Sequence, residues 1–225
     1  MAEVLGLTAR LAGITTLLLL LLATPLSWWL ARGRSAWRTV VTALVALPIV
    51  LPPTVLGFYL LIALGPKSPL MALLQPFGIR TLAFTFEGLV IGSLIYSLPF
   101  AVQPLRNAFL SIGDEPLEAA ATLGASPWAR FWRVAVPLAL PGYVAAAILV
   151  FAHTVGEFGV VMMLGGAIPG ETMVLSTEIY RLVESLEWGE AHRLSLMLLG
   201  FALAVMLTLL AIEARSKILL RAREG

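Results

Sequence analysis

The side chains able to do chemistry are few in this sequence and poorly grouped for catalysis. Histidine occurs only at His153 and His192, which excludes a His-Glu-x-x-His zinc site. Cysteine is absent, removing disulfides, Fe–S clusters and Cys-ligated zinc. No Gly-x-x-x-x-Gly-Lys-Ser/Thr loop is present to cradle a nucleotide phosphate. Gly92-Ser93 lacks the rest of a Gly-x-Ser-x-Gly elbow. An enzyme is therefore not expected, nor any metal or cofactor. Two arrangements remain. His153 and Glu157 lie four apart and share a helical face. At the end of an apolar run they read as an interfacial pair reaching headgroups or packing across a dimer. The alternative is a functional pair at membrane depth. The segment Glu157–Arg193 holds six acids, Glu157, Glu171, Glu178, Glu184, Glu187 and Glu190, against Arg181 and Arg193.

The elements that position these residues are set by composition. Of 225 residues, 60% are apolar and 12% charged, with a mean hydropathy of +0.95. Soluble domains run to roughly 45–50% apolar and about 25% charged. A soluble fold of this length has too much surface to hide so many apolar side chains. The pI is about 9.3, yet the net charge is only +2 and no basic run tracks a phosphate backbone, so nucleic-acid binding is excluded. The chain reads as an all-α polytopic membrane protein.

A crossing needs about 20 mostly apolar residues. Uncharged intervals give five, at 11–31, 39–66, 88–105, 134–156 and 194–212. Residues 68–79 and 158–170 are too short to cross and read as loops or re-entrant pieces. A sixth, poorly formed crossing within 158–192 is the alternative. The first interval is expected to be a crossing rather than a cleaved leader, because its positive charges follow the apolar run and no small-residue cleavage site precedes Trp28-Trp29. Five crossings place Arg32, Arg34, Arg38, Arg106, Arg130, Arg133, Arg215, Lys217, Arg221 and Arg223 on one side, ten of fifteen basic residues. The positive-inside rule makes that side cytoplasmic, with the N-terminus outside. Trp28, Trp29, Trp37, Trp128 and Trp132 fall near this boundary, as interfacial aromatics do. Pro48, Pro52, Pro53, Pro99, Pro104, Pro137 and Pro141 interrupt the crossings. Each removes a donor and frees a carbonyl that neighbours or cavity water must satisfy, so the bundle is expected to surround a pathway.

The cytoplasmic loop 106–133 is ordered by its own signals. Asp114 can cap a helix with Pro116 in its first turn and Glu115 and Glu118 suited to its dipole. The run Leu117–Leu123 has high helix propensity and Gly124 stops it. Ser126-Pro127 opens a second helix that ends near Pro137.

Glu118-Ala119-Ala120, three residues, Gly124, nine residues, Val134, one residue, then Val136-Pro137 resembles the EAA loop of type I ABC importer permeases at every position of that spacing. Leu51-Pro52-Pro53-Thr54-Val55-Leu56-Gly57-Phe58-Tyr59-Leu60, Gly156-Glu157-Phe158-Gly159 and Ile168-Pro169-Gly170-Glu171-Thr172 are similar to the molybdate permeases within that family. The resemblance covers about residues 8–215, one type-1 transmembrane domain, and leaves 216–225 as a cytoplasmic tail. Gly165-Gly166-Ala167 departs from the Gly–Asn pair of many molybdate permeases.

The resemblance implies a pore-forming subunit of an ATP-driven importer. It assigns Glu118, Ala119, Ala120, Gly124 and Pro137 to coupling with a separate P-loop ATP-binding subunit. Its partners would be a second copy of this chain, two ATP-binding subunits, a periplasmic or lipid-anchored oxyanion-binding protein, and membrane lipid. The cargo would be molybdate, with tungstate or sulfate as alternatives. A bare acidic funnel repels an oxyanion within a screening length of about 8 Å. The outer acids are therefore expected to form a docking rim. Pathway lining is sought in hydroxyls on kinked crossings: Thr54, Tyr59, Ser93, Ser97 and Thr154. A secondary transporter would need intramembrane ionisable residues and inverted repeats, and a scaffold would leave the EAA spacing without purpose.

Overall fold

The computed structural model describes residues 1–33 and 35–224, with side chains described outside 213–224. Arg34, and the Arg215, Lys217, Arg221 and Arg223 side chains of the tail, lie outside what is described. The described chain is helical. Three helices are long and apolar enough to cross a membrane unbroken: α1 (Ala2–Arg32), α5 (Phe86–Ser111) and α12 (Trp188–Glu224, apolar over Trp188–Ile212). Two bent pairs bring the crossings to five.

α1 keeps its threonines satisfied within the helix. Thr8, Thr16 and Thr24 donate to the carbonyls four residues earlier, at 2.7, 2.7 and 2.6 Å. The second crossing is α2 (Trp37–Val50) followed by α3 (Pro53–Leu64), bent by 110°. The cause is local. Leu51 precedes Pro52, and Pro52 precedes Pro53, and both adopt extended backbone with ψ of 136° and 132°. α2 packs Val41 and Val45 into the core near the basic face, while Leu64 at the end of α3 joins Met71, Ala83 and Leu164 at the opposite face. Between α3 and α5 lie α4 (Pro69–Leu74), capped by Ser68, and a 3₁₀ turn, Gln75–Phe77.

After α5 the chain makes α6 (Glu115–Thr122), α7 (Pro127–Arg130), a π turn over Phe131–Ala135, α8 (Val136–Leu138) and α9 (Leu140–Gly156). A 66° bend separates α9 from the segment before it. α9 runs antiparallel to α5: a Cβ at Gly142 would meet Ala108 at 2.4 Å, and His153 and Glu157 reach Ser97 and Ser93. α10 (Gly159–Gly165) continues that path beside Leu89. α11 (Leu175–Glu184) then packs on α1, α9 and α12.

The core beside the basic face gathers Leu30, Val45, Leu105, Phe109 and Ala139 from α1, α2, α5 and the α8–α9 bend. Arg32 bonds to the Asp114 carboxylate and the Gly113 carbonyl, which puts the end of α1 and the α5–α6 turn on one face.

The structure refines several sequence expectations. Of the two readings for residues 158–170, a re-entrant piece fits better than a loop, because α10 is buried against α3 and α5; no helix within 158–187 is long enough to cross by itself. The first and fifth helices begin at Ala2 and Trp188, running back past Glu3 and Arg10 and past Glu190 and Arg193, since charged residues in the first turns of a helix do not break it. Asp114 precedes α6 without a side-chain cap bond, its carboxylate being taken by Arg32. Trp28 packs edge-on against Phe109 and Phe131, each at 5.2 Å.

Candidate functional site

The two helix breaks meet. A Cβ on Gly159 would lie 2.6 Å from Pro53 Cβ, so only glycine lets the start of α10 approach the start of α3 this closely. Beside this contact is a cavity of about 480 Å³, lined by Pro53, Thr54, Tyr96, Ala152, His153, Gly156, Glu157, Phe158 and Gly159. Glu157 is at the break itself, in extended backbone, and only 3% exposed. Its Oε2 accepts a 2.8 Å bond from Ser93 Oγ, and Ser176 Oγ donates to its carbonyl. Its Oε1 has no partner among the described residues. His153 Nδ1 is 2.9 Å from Ser97 Oγ, which is 3.2 Å from Thr154 Oγ1. The imidazole stacks on Phe100 at 4.1 Å and tilts against Tyr96 at 4.7 Å.

Glu157 and His153 are thus not interfacial groups reaching headgroups. Ser93 lies about two turns into α5, and Glu157 sits at its depth, with α10 following beyond it. Of the hydroxyls expected to line a pathway, Thr54 lines the cavity. Ser93, Ser97 and Thr154 are fully buried behind it and hold Glu157 and His153 in place. Tyr59 is 65% exposed, stands edge-on to Phe58 at 5.6 Å and does not reach the cavity. Tyr96 was not anticipated; nothing in its sequence neighbourhood separates it from other aromatics of an apolar helix.

The second cluster is the loop on the basic face. α6 ends in a Schellman arrangement: Gly124 N–H donates to Ala121 O at 2.9 Å and Ala125 N–H to Ala120 O at 3.0 Å. Gly124 has φ of +82°. Ser126 Oγ accepts from Ala129 N–H at 3.2 Å and opens α7. Leu117 turns inward onto the core, while Glu118, Ala119, Ala121, Leu123 and Trp128 face out. Leu123 is 88% and Trp128 71% exposed, a bare apolar surface on a polar loop. Pro137 is also exposed, just beyond the π turn. On the opposite face Arg181 bonds Glu178 through two 2.8 Å contacts and holds that carboxyl below its usual value.

Residues 23–222 match the family model described as binding-protein-dependent transport system inner membrane component. The chain belongs to that family. This permease is 55% identical over 203 residues to the molybdenum transport system permease protein ModB of Azotobacter vinelandii, covering 90% of each chain. It is 34% identical to the ModB of Escherichia coli (strain K12), covering 85% of this chain and 83% of that one. A probable sulfate transport system permease protein, cysT of Zygnema circumcarinatum, is 31% identical over 96% of the permease and 73% of its own length. Among solved structures, the bacterial alginate ABC transporter in complex with a pentasaccharide-bound periplasmic protein aligns with a TM-score of 0.73 at 19% identity, over 97% of the permease and 78% of that chain. The inward-facing MetNI methionine ABC transporter aligns at 0.66 and 17%, over 94% and 95%. The permease therefore has the fold of type I ABC importer membrane subunits.

Proposed function

We propose that this permease is the membrane subunit of a molybdate importer in a prokaryotic inner membrane, with its basic face and C-terminus in the cytoplasm. The observation that carries the reading is the 55% identity to a molybdenum permease across 90% of both chains. Sulfate is the runner-up, since a sulfate permease matches at 31%.

Two copies form the pore across residues 8–215. A P-loop ATP-binding subunit docks under each at Glu118, Ala119, Ala120 and Gly124, with Pro137 fixing the loop's return. The bare Leu123 and Trp128 surface supports that docking. ATP hydrolysis belongs to those subunits, because this chain has no phosphate-binding loop. A binding protein delivers the oxyanion to the acidic face. The cargo passes the meeting of the two helix breaks, where Thr54 lines the cavity and Ser93, Ser97 and Thr154 hold its polar wall. Broken helices at membrane depth are where transporters place irregular backbone that meets cargo. The test is complementation. A strain lacking its own molybdate permease should regain molybdoenzyme activity in trace molybdate when it expresses this chain with its ATP-binding and binding-protein partners. Tungstate should compete well and sulfate poorly; preferential competition by sulfate would move the permease to the neighbouring cargo.

A further inference from the structure

The α5–α6 turn is built around Gly113, whose φ of +70° lets the chain reverse between the crossing and the docking helix. That reversal presents two acceptors to one side chain: the Gly113 carbonyl and the Asp114 carboxylate both take the Arg32 guanidinium. Arg32 is the last residue of α1, and its guanidinium also lies 5.5 Å from the Trp28 ring. Asp114 is 80% exposed and immediately precedes α6, so a cap would have been its ordinary use. Instead it ties the docking helix to α1.

α1 is tied at other levels as well. Ser27 Oγ donates to Val102 O of α5 at 3.2 Å, and Thr24 Oγ1 bonds Tyr143 Oη of α9 at 2.9 Å. Near its far end Thr8 Oγ1 accepts from Leu175 N–H at 2.9 Å. The next residue, Ser176, donates to the carbonyl of Glu157 at the helix break. One helix of 31 residues, about 46 Å at 1.5 Å per residue, therefore connects the docking loop to the wall of the cavity.

We infer that Arg32 is a positioning residue: its clasp on Gly113 and Asp114 makes α1 move with the docking helix and carries that movement to the break at Glu157. This rests on α6 being the docking element, and it assigns transmission, as distinct from docking, to a residue outside the EAA segment.

The experiment uses the whole complex with loaded binding protein. Arg32→Gln and Asp114→Asn should each lower uptake and binding-protein-stimulated ATP hydrolysis by about fivefold to tenfold, the span expected for losing a charge-assisted bond near the surface. The ATP-binding subunit should co-purify in full. Arg32→Lys should recover part of the activity, because it keeps the charge and loses the fork. Arg32→Glu with Asp114→Arg should recover more than either of those two substitutions alone. Normal uptake in Asp114→Asn, whose exposed site puts folding at no risk, overturns the inference. So does impairment that the exchanged pair leaves unrelieved. Loss of the ATP-binding subunit from Asp114→Asn would also overturn it, placing the pair in docking. Failure of the docking assignment is separate: full co-purification with an altered Gly124.

Discussion

Gly156 and Gly159 form a matched pair three residues apart, both lining the cavity, and they should respond differently to a single methyl group. A Cβ at Gly159 would meet Pro53 Cβ at 2.6 Å, with Pro53 C and Thr54 N at 3.4 Å. Carbon atoms prefer about 3.5–4.0 Å. The start of α10 must then withdraw from α3 by about 1 Å in Gly159→Ala. Pro53 cannot yield by rotating a side chain, so backbone has to move. Overpacking of this kind costs about 1–3 kcal/mol. Nothing lies within 4 Å of a Cβ at Gly156. Gly156→Ala should therefore change stability by less than about 0.5 kcal/mol. The assay is thermal unfolding of the detergent-solubilised complex beside molybdate uptake in cells, normalised to the amount of permease in the membrane. Gly159→Ala should unfold at lower temperature and transport poorly, and Gly156→Ala should match the parent in both. Equal behaviour of the two variants would refute the close meeting of the breaks and the pathway drawn past it.

Other outcomes follow from single observations. Glu157→Gln keeps an acceptor for Ser93 and should retain most uptake, whereas Glu157→Ala leaves the buried Ser93 hydroxyl without its partner at about 1–3 kcal/mol and should lose it; uptake per unit of permease separates them. Gly124→Val should cost about 1–3 kcal/mol in backbone strain at φ +82° and weaken co-purification of the ATP-binding subunit. Gly124→Asn, which tolerates that conformation, should hold it better, and no steric term enters because nothing lies within 4 Å. For topology, a cysteine at Ala36 should react with an impermeant maleimide only after lysis, and one at Phe77 in intact spheroplasts. Phe77 is 79% exposed, while Ser68 in the same connection is 7% exposed and would report burial rather than side.

The apolar helices were legible because a charge inside a bilayer is costly, so uncharged intervals fall within α1, α5 and α12, even through Pro99 and Pro104. The helices of the 106–133 loop were legible for a different reason: Pro116, Gly124 and Ser126-Pro127 each impose a local conformation that tertiary context has no cause to overrule. The meaning of Pro52-Pro53 was half legible. Consecutive prolines dictate a break, but not that its partner is Gly159, more than a hundred residues away. Glu157 misled because a carboxylate ends an apolar run on any hydropathy count. Only the packing of α10 against α3 and α5 shows the buried helical path continuing beyond it. Asp114 misled because capping is a local expectation, and Arg32, 82 residues earlier, outcompetes it.

The central claim is best met by uptake into proteoliposomes holding the permease with its ATP-binding subunits. Loaded binding protein is placed outside, and ATP is enclosed with those subunits inside. Labelled molybdate should accumulate only with both ATP and binding protein present, tungstate should suppress it, and excess sulfate should leave it nearly unchanged. Accumulation without ATP, or driven by an ion gradient alone, would contradict the account.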